Sequence, residues 1–453
     1  MQFFTLTDWV LLPLVLALIY YFARIKRNRN IEKFPEFKYY VPGLTVKMLG
    51  AISLGLIYAL YYGGGDTINY YHDGLCMNKL LFTNPPAFFN VFFQGTSLDN
   101  YYYFTPETGY PIYYKDVQTF LVTRISFFTT LISFRSFIVS SVLFSWLSYT
   151  GIWRMYRVFL FEFPNLSKQM AIAVLFIPSV FFWGSGMLKD TVTFSATGFF
   201  VFNFYFFFIK RKGVFSHVVG LFLSAYVILS IKPYIIFALL PGCLIWIINN
   251  LLSRFGGSFT RAAAAPVFIS IALLTGYLLL SFMSVQLKDY SLDKVLEKAV
   301  VTQQDLKSDY YGGNTFNIGE FDPTIPSMLG KAHLAISAAL FRPFLWETRN
   351  VVMFMSGVEN FIILIYAIIL IIQLKIFGFF RYFFKHHLLT FSLIFSLFFA
   401  FSVGLTTPNF GSMVRYRIPI LPFFVASLFI MKHFYLEEKK EKEARARPEL
   451  SFV

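Results

Sequence analysis

Residues 388–405 read LLTFSLIFSLFFAFSVGL, a run without one charged side chain. This run has nearly the length of about 20 residues that a helix needs to cross a bilayer, so it predicts a transmembrane helix. Ten further stretches are similarly long and predominantly apolar. The eleven predicted spans are 8–23, 44–62, 134–153, 169–187, 191–209, 214–231, 234–252, 264–283, 352–374, 388–405 and 417–432.

The composition of all 453 residues agrees with this pattern. Hydrophobic residues make up 57% of the chain and charged residues only 14%, whereas a soluble domain carries about 25% charged residues. The many aromatic residues, among them 60 Phe and 28 Tyr, indicate no function by themselves. We therefore expect an all-α polytopic membrane protein.

The formal net charge of +15 would suggest nucleic-acid binding in a soluble protein, but the position of the charges argues against it. Basic clusters follow every second span, as they do in cytoplasmic loops. We therefore expect the N-terminus outside, the C-terminus in the cytoplasm and no nucleic-acid partner. The clusters are Arg24, Lys26, Arg27 and Arg29; Arg154 and Arg157; Lys210, Arg211 and Lys212; Arg254 and Arg261; and Lys375, Arg381 and Lys385.

This topology divides the chain into six segments. In chain order they are 1–62 (spans 1 and 2), 63–133 (outer loop 1 with amphipathic helices), 134–283 (spans 3 to 8), 284–351 (outer loop 2), 352–432 (spans 9 to 11) and 433–453 (a charged cytoplasmic tail). The first apolar run lacks a preceding basic stretch and a small-residue cleavage site, so we interpret it as a retained span. Cys76 and Cys243 are not expected to form a disulfide.

Outer loop 1 opens with GGGDTINYYHDG at residues 63–74. Glycines let backbone or substrate approach closely, and a carboxylate at a partly desolvated boundary suits general-base chemistry. Asp66 is therefore the candidate catalytic base, and the alternative is a turn residue that caps the next helix. Asp66, His72 and Asp73 could also bind a divalent cation, although their spacing dictates no coordination geometry.

The segment between predicted spans 4 and 5 reads PSVFFWGSGMLKD, residues 178–190. Pro178 and Gly186 interrupt the apolar run, and broken helix ends at membrane depth are tolerated where they line a cavity. Lys189 and Asp190 follow at the interface. Lys189 is a candidate phosphate contact, and Asp190 is a second acid or a metal ligand. Alternatively, Lys189 extends toward the membrane surface and Asp190 caps the helix of span 5.

Outer loop 2 ends with LFRPFLWETRN, residues 340–350. Its aromatic side chains suit a helix at the bilayer surface, and Pro343 limits the directions that Arg342 can take. Arg342 is a candidate phosphate contact with Glu347 as an acidic partner, or the two form a structural ion pair.

Two charged residues interrupt apolar stretches elsewhere. Lys232 and Pro233 separate spans 6 and 7, which leaves a cation at the outer face. Glu359 lies inside span 9, and an ionisable group in a span faces the protein interior or a wet cavity, so it is a further acidic candidate.

The last span is preceded by NFGSMVRYRIPILP, residues 409–422. Arg415 and Arg417 are guanidinium groups on the side where basic residues are otherwise rare, and an Arg fork matches the geometry of phosphate. A lipid-linked diphosphate is the natural partner, and anchoring to lipid headgroups is the alternative.

The sequence lacks several motifs that identify other classes. It has no GxxxxGK[ST] loop, HExxH or GxSxG motif, which removes the usual support for ATP-driven transport, zincins and serine hydrolases. No repeated pore segment is visible, and the long, mixed-charge outer loops fit secondary transporters poorly.

With these motifs, the chain resembles the GT-C-type membrane glycosyltransferases and related enzymes of bacterial surface-polysaccharide assembly. The resemblance rests on Asp66, the amphipathic stretch after it, the turn at 178–190 and the arginines before the last span. It implies a GT-C-like fold and a bacterial cytoplasmic membrane location. The acidic loop follows the second predicted span here, whereas it follows the first in many members.

The resemblance also implies a reaction. A polyprenyl-phosphate or polyprenyl-diphosphate sugar would be the donor, and a glycan or lipid-linked molecule the acceptor. Asp66 would deprotonate the acceptor hydroxyl, while Arg415, Arg417 and Lys189 would bind the leaving phosphate. We expect no cofactor from the resemblance, and the residues alone suggest a divalent cation at Asp66, His72 and Asp73.

Three alternatives stay open. A polysaccharide polymerase would rely on outer-face arginines such as Arg342 and Arg415. A flippase or exporter subunit would move the same lipid-linked glycans, and a non-catalytic subunit would serve an envelope complex.

Overall fold

A computed structural model describes residues 6–252, 292–307 and 314–446, and the fold is given for these residues. They are almost entirely helical, and within these ranges the β-pairing is one isolated antiparallel bridge between Thr315 and Asn409. Two helices, α2 and α10, continue as π-helical turns to Tyr62 and Lys210. The helices are α1 (Leu6–Asn30), α2 (Tyr40–Leu56), α3 (Asp66–Thr83), α4 (Pro85–Gln94), α5 (Leu98–Tyr101), α6 (Val117–Ile132), α7 (Phe137–Glu162), α8 (Ser167–Leu175), α9 (Pro178–Trp183), α10 (Lys189–Phe204), α11 (Val214–Ile231), α12 (Pro233–Leu252), α13 (Leu292–Leu306), α14 (Ile325–Gly330), α15 (Ala332–Phe341), α16 (Val351–Phe383), α17 (His387–Thr406), α18 (Phe410–Tyr416) and α19 (Ile420–Ala446).

Eight helical stretches of the described chain are long and apolar enough to cross a membrane, and each coincides with a predicted span. The predictions of a helical chain and of several apolar helices that could span a membrane are therefore confirmed for the described residues. The predicted span over 264–283 lies outside the described residues. The eight stretches are Thr7–Asn30, Pro35–Tyr62, Lys189–Lys210, Val214–Ile231, Pro233–Leu252, Val351–Phe383, His387–Thr406 and Ile420–Arg445.

Two predicted spans have a different structure. Most of the segment predicted over 134–153 lies in α7. Helices α6 and α7 meet at a bend of 118°, and only the two together have the length and apolar composition of a membrane span. The segment predicted as one helix over 169–187 consists of the short helices α8 and α9. The break follows from Pro178, which has no backbone N–H to donate and disfavours a helical residue before it.

Residues 1–236 form the first compact unit. Its central helix α7 packs against α2 and α10. Gly151 of α7 and Gly198 of α10 lie at the crossing, where a Cβ atom on Gly198 would be 2.2 Å from the carbonyl oxygen of Gly151. Glycines at both positions therefore allow two helix backbones to touch, as small residues commonly do in membrane proteins.

The segment predicted as outer loop 1 is folded. Helices α3, α4 and α6 enclose a small apolar core of their own. This core holds α3 and α6 together, and the side chains of the candidate site project from their ends. Its buried residues are Cys76, Met77, Leu80, Ala87, Phe88, Val91, Phe104, Tyr114, Phe120 and Phe127.

Residues 237–453 form the second compact unit. Helix α17 packs against α15 and α19. A Cβ atom on Gly404 of α17 would be 1.9 Å from the carbonyl oxygen of Ala335 in α15, so these two backbones also meet directly. The predicted charged tail begins as a continuation of α19, which runs to Ala446.

Candidate functional site

The Asp66 carboxylate lies at the first residue of α3, directly after the three-glycine turn. Gly63 and Gly65 have φ angles of 66° and 111°, which glycine adopts without steric cost. Asp66 is half-buried, and its Oδ1 accepts a hydrogen bond of 2.8 Å from the Tyr113 hydroxyl. Asn69 donates to the same hydroxyl oxygen at 3.2 Å.

This hydrogen bond fixes the direction of the carboxylate. Burial, and next the charge of Asp66, raise the pKa of the Tyr113 phenol, so the phenol stays protonated and acts as the donor. Tyr113 therefore positions Asp66 from a place in the chain 47 residues away.

Asp73 has a different environment from Asp66. Its side chain is fully buried, and its two carboxylate oxygens accept the backbone N–H groups of Ile112 at 2.7 Å and Tyr113 at 2.9 Å. The Thr123 hydroxyl donates a longer bond of 3.5 Å. Asp73 thus ties the loop before α6 to α3, which is a structural role.

The possible metal site at Asp66, His72 and Asp73 gains no support. His72 Nδ1 lies 3.2 Å from Asp73 Oδ1, and the Sγ atom of Cys76 lies 3.8 Å from His72 Nε2. Burial, with the Asp73 charge second, raises the pKa of Cys76 to about 12, so this thiol stays protonated and is a poor ligand. In the described part of the chain, no three His, Cys, Asp or Glu side chains are placed to hold a metal ion.

Lys189 opens α10, and its ammonium lies 3.3 Å from Oδ2 of Asp116. Asp116 also caps α6, because its Oδ1 accepts the N–H groups of Gln118 at 3.0 Å and Thr119 at 3.1 Å. Although burial opposes it, the hydrogen bond from Thr119 and the charge of Lys189 hold the pKa of Asp116 below its ordinary value. The Lys189 side chain is 28% exposed, so a ligand can reach this cation.

Asp190 and Lys232 form a buried ion pair. Lys232 Nζ lies 2.5 Å from Asp190 Oδ1, and the two side chains are 8% and 2% exposed. Asp190 does not cap α10, whose N-cap is Leu188, and Lys232 does not lie exposed at the outer face. The predictions of Asp190 as an N-cap and of Lys232 as an exposed cation are therefore wrong. The two side chains pair with each other between α10 and the α11–α12 junction.

Lys47 is a buried ionisable residue that was not among the predicted site residues. It lies in α2, is 2% exposed, and its Nζ donates to the carbonyl oxygen of Gly184 at the end of α9. A Cβ atom on Gly186 would lie 3.7 Å from the hydroxyl of Thr67, the residue after Asp66. Lys47 therefore holds the broken helix end close to the start of α3. Its position within an apolar run was the signal that could have identified it.

Arg342 and Glu347 form the ion pair that the sequence left as one alternative. Arg342 Nε donates to Glu347 at 3.1 Å, a second guanidinium nitrogen donates to the other carboxylate oxygen, and the backbone N–H of Phe344 donates at 2.8 Å. The guanidinium also lies over the rings of Phe316 and Phe410, 4.8 and 5.5 Å from their centroids. Arg342 therefore holds the loop before α16 together.

Arg417 binds protein partners through both of its terminal guanidinium nitrogens. It is 0% exposed and donates to Asn360 Oδ1 at 2.6 Å and to the carbonyl oxygen of Arg342 at 2.9 Å. Glu359 is buried close enough to interact with the Arg417 charge. Arg415, in the last turn of α18, is half-buried and is the more accessible of the two predicted phosphate contacts.

The candidate residues are divided between the two compact units. The first unit brings Asp66 and Asp73 together through the loop at 112–113, and it joins the same loop to Lys189 through Asp116. The second unit connects Arg342, Glu347, Glu359 and Arg417 in one network, in which Glu359 and Arg417 are buried.

No protein-family model matches the sequence, and no curated protein and no solved structure matches it. The resemblance to GT-C-type enzymes therefore rests on the motifs alone.

Proposed function

We propose that the chain is a membrane glycosyltransferase of the GT-C type, with Asp66 as the catalytic base. The proposal includes eleven spans, a bacterial cytoplasmic membrane location and the N-terminus outside. The donor is a polyprenyl-phosphate or polyprenyl-diphosphate sugar, and the acceptor is a hydroxyl of a glycan or glycoconjugate of the cell surface.

The observation that carries the proposal is the placement of Asp66, which is half-buried at the start of α3 and accepts a hydrogen bond from the Tyr113 hydroxyl. Asp73 and Asp190 are buried, and their carboxylates are bonded to two backbone N–H groups and to the Lys232 ammonium, respectively. Asp66 is half-buried, and the Tyr113 phenol orients its carboxylate. A general base has to be accessible and oriented so that it lies within hydrogen-bond distance of the substrate hydroxyl. Asp66 also follows a glycine turn and a membrane-spanning helix, where a lipid-linked substrate would arrive.

The proposed reaction is an inverting transfer. The acceptor oxygen attacks the anomeric carbon of the sugar, the bond from that carbon to the phosphate oxygen breaks, and its electron pair leaves with the phosphate. Asp66 takes the proton of the acceptor hydroxyl. The proposed phosphate contact of the first unit is Lys189 and that of the second unit is Arg415, because both are at least partly accessible. Arg417 is a positioning residue, since its guanidinium is fully buried.

The experiment that tests this function is a comparison of lipid-linked glycans in cells with and without the protein. We expect cells without it to accumulate a polyprenyl-linked sugar that a membrane-impermeant glycosidase can reach, because the donor is made and exported but not used. Accumulation that the glycosidase cannot reach would indicate a flippase instead. An unchanged profile would contradict any role in glycan assembly.

A further inference from the structure

Three basic side chains lie together at one end of the first unit. Lys26 is on α1, and Arg154 and Arg157 are on α7. Tyr40, the first residue of α2, links the two helices: its ring centroid is 4.9 Å from Lys26 Nζ and 4.9 Å from the ring centroid of Trp153. We call Lys26, Arg154 and Arg157 the basic cluster.

The positive charge of the basic cluster exceeds the negative charge beside it. Arg154 and Arg157 both repel the Lys26 ammonium, and Arg157 also repels Arg154. Among the described residues, the carboxylate paired with the cluster is that of Glu36, 3.7 Å from Arg157 Nε, which is too long for a hydrogen bond. Three cations therefore face one carboxylate.

Two buried donors at the cluster have no acceptor among the described residues. They are the Nε–H of Arg157 and the indole N–H of Trp153, whose side chain is 3% exposed. Buried N–H groups are nearly always hydrogen-bonded in folded proteins. The protein therefore leaves donor capacity at the cluster unused, and an anion from outside the chain would offset the excess positive charge.

The preference of cytoplasmic loops for basic residues does not explain this arrangement. That preference is met by exposed side chains such as Arg24. Arg154 and Arg157 instead lie half-buried over aromatic rings, 4.5 Å from the centroid of Phe199 and 4.9 Å from that of Phe34. Partly buried like charges need a bound anion more than exposed ones do.

We propose that the basic cluster is a binding site for a phosphate-bearing anion. The two guanidinium groups supply planar donors that match phosphate oxygens, and Lys26 supplies a charge at the exposed edge. Helix α2 and its π-helical continuation, Tyr40 to Tyr62, extend about 35 Å at 1.5 Å per residue. The site is therefore at the far end of that span from Asp66 and does not depend on the proposed transfer reaction.

Phosphate of this kind comes from an anionic lipid headgroup or from a soluble compound, and titrations distinguish the two sources. The full chain, purified in an uncharged detergent, is titrated separately with dioctanoyl phosphatidylglycerol, dioctanoyl phosphatidylcholine and inorganic phosphate. Dissociation constants are read from the shift of the thermal unfolding midpoint. Saturable binding of phosphatidylglycerol alone identifies a lipid site, and comparable binding of inorganic phosphate identifies a soluble ligand.

The variants connect that binding to the cluster. Arg154→Gln/Arg157→Gln should weaken the binding roughly 25-fold, at about fivefold for each cation lost near a membrane surface. Lys26→Gln removes an exposed charge without disturbing the buried packing, so it should weaken binding about fivefold even if the double variant does not fold.

The matched control is Arg24→Gln/Arg29→Gln, which removes two charges from exposed positions of α1 and should leave the dissociation constant within about twofold. The proposal is overturned if none of the three probes binds, or if Lys26→Gln binds as tightly as the unaltered protein. It is also overturned if the control variant loses as much affinity as the cluster variant, because bulk charge would then be the cause.

Discussion

At the scale of single residues, Asp66 and Asp73 show why neighbouring acids in one motif can have different roles. Both are in the stretch GGGDTINYYHDG and on the same helix. Their environments differ because the loop at 112–113 returns to α3 and places two backbone N–H groups on Asp73 and the side chain of Tyr113 on Asp66. Contacts between residues about 40 positions apart, as between this loop and α3, cannot be predicted from the local sequence.

Asp73→Asn should destabilise the fold. An amide group presents an NH₂ to one of the two backbone N–H donors that the carboxylate now accepts, which leaves a buried donor unsatisfied. We expect a loss of about 1.5–3 kcal/mol, measured as a lower thermal unfolding midpoint in detergent. Asp99→Asn is the control, because Asp99 is exposed in the same outer segment. An unchanged midpoint for Asp73→Asn would contradict the structural role.

The sequence identified some site residues and missed others for physical reasons. It named Asp66, Lys189, Arg342 and Arg415 because charges are rare in an apolar chain. It did not identify Tyr113, which is one of 28 tyrosines and becomes distinctive only through its contact with Asp66. Tyr113 belongs to the site because it lies close to Asp66 in space, and the spacing of residues along the chain does not predict that proximity.

At the scale of helices, the Asp190–Lys232 pair connects α10 to the junction of α11 and α12. Lys232→Met should cost about 3–5 kcal/mol of stability, because it leaves the Asp190 carboxylate buried without its cation. Adding Asp190→Asn should restore part of that loss. Lys210→Met is the control, since Lys210 pairs with Glu162 while 42% exposed and should cost at most about 1 kcal/mol.

This cycle is measured by thermal unfolding of the purified variants. If the double variant is no more stable than Lys232→Met alone, the pair is not the source of the loss and the proposed coupling between these helices is wrong.

Gly198→Leu should separate α7 from α10. Even a Cβ atom there would lie 2.2 Å from the Gly151 carbonyl oxygen, so a larger side chain forces the two backbones apart. We expect a loss of about 1–3 kcal/mol or more, seen as a lower unfolding midpoint and lower yield of monodisperse protein. Gly330→Leu is the control, because a Cβ on Gly330 meets no atom within 4 Å. Equal behaviour of both variants would contradict the close crossing.

Most of the long helices could be predicted from apolar runs, and two predicted spans that differ have local causes. Pro178 divides the predicted span over 169–187 into α8 and α9. The bend of 118° between α6 and α7 occurs where Phe134 and Arg135 adopt positive φ angles of 52° and 64°. Neither residue type favours that conformation, so composition gave no sign of the turn.

At the scale of the whole molecule, the small number of charges determines the expected orientation. Basic clusters follow alternate predicted spans, which places the N-terminus outside and the C-terminus in the cytoplasm. Alkaline phosphatase fused after Ala446 should therefore be inactive, and a green fluorescent protein fused there should be fluorescent. Active phosphatase at that position would contradict the predicted orientation, and Asp66 would then lie on the cytoplasmic side.

We propose above all that the Asp66 carboxylate is the base of a sugar transfer at the membrane surface. The test uses membranes from cells that lack the chromosomal gene and express one variant at the normal level. The quantity measured is the rate at which these membranes consume the lipid-linked donor. We predict that Asp66→Asn slows consumption about 10²–10⁴-fold, while Asp99→Asn, an exposed acid of the same segment, leaves it unchanged. Donor consumption by Asp66→Asn at the rate of the unaltered protein would contradict the account.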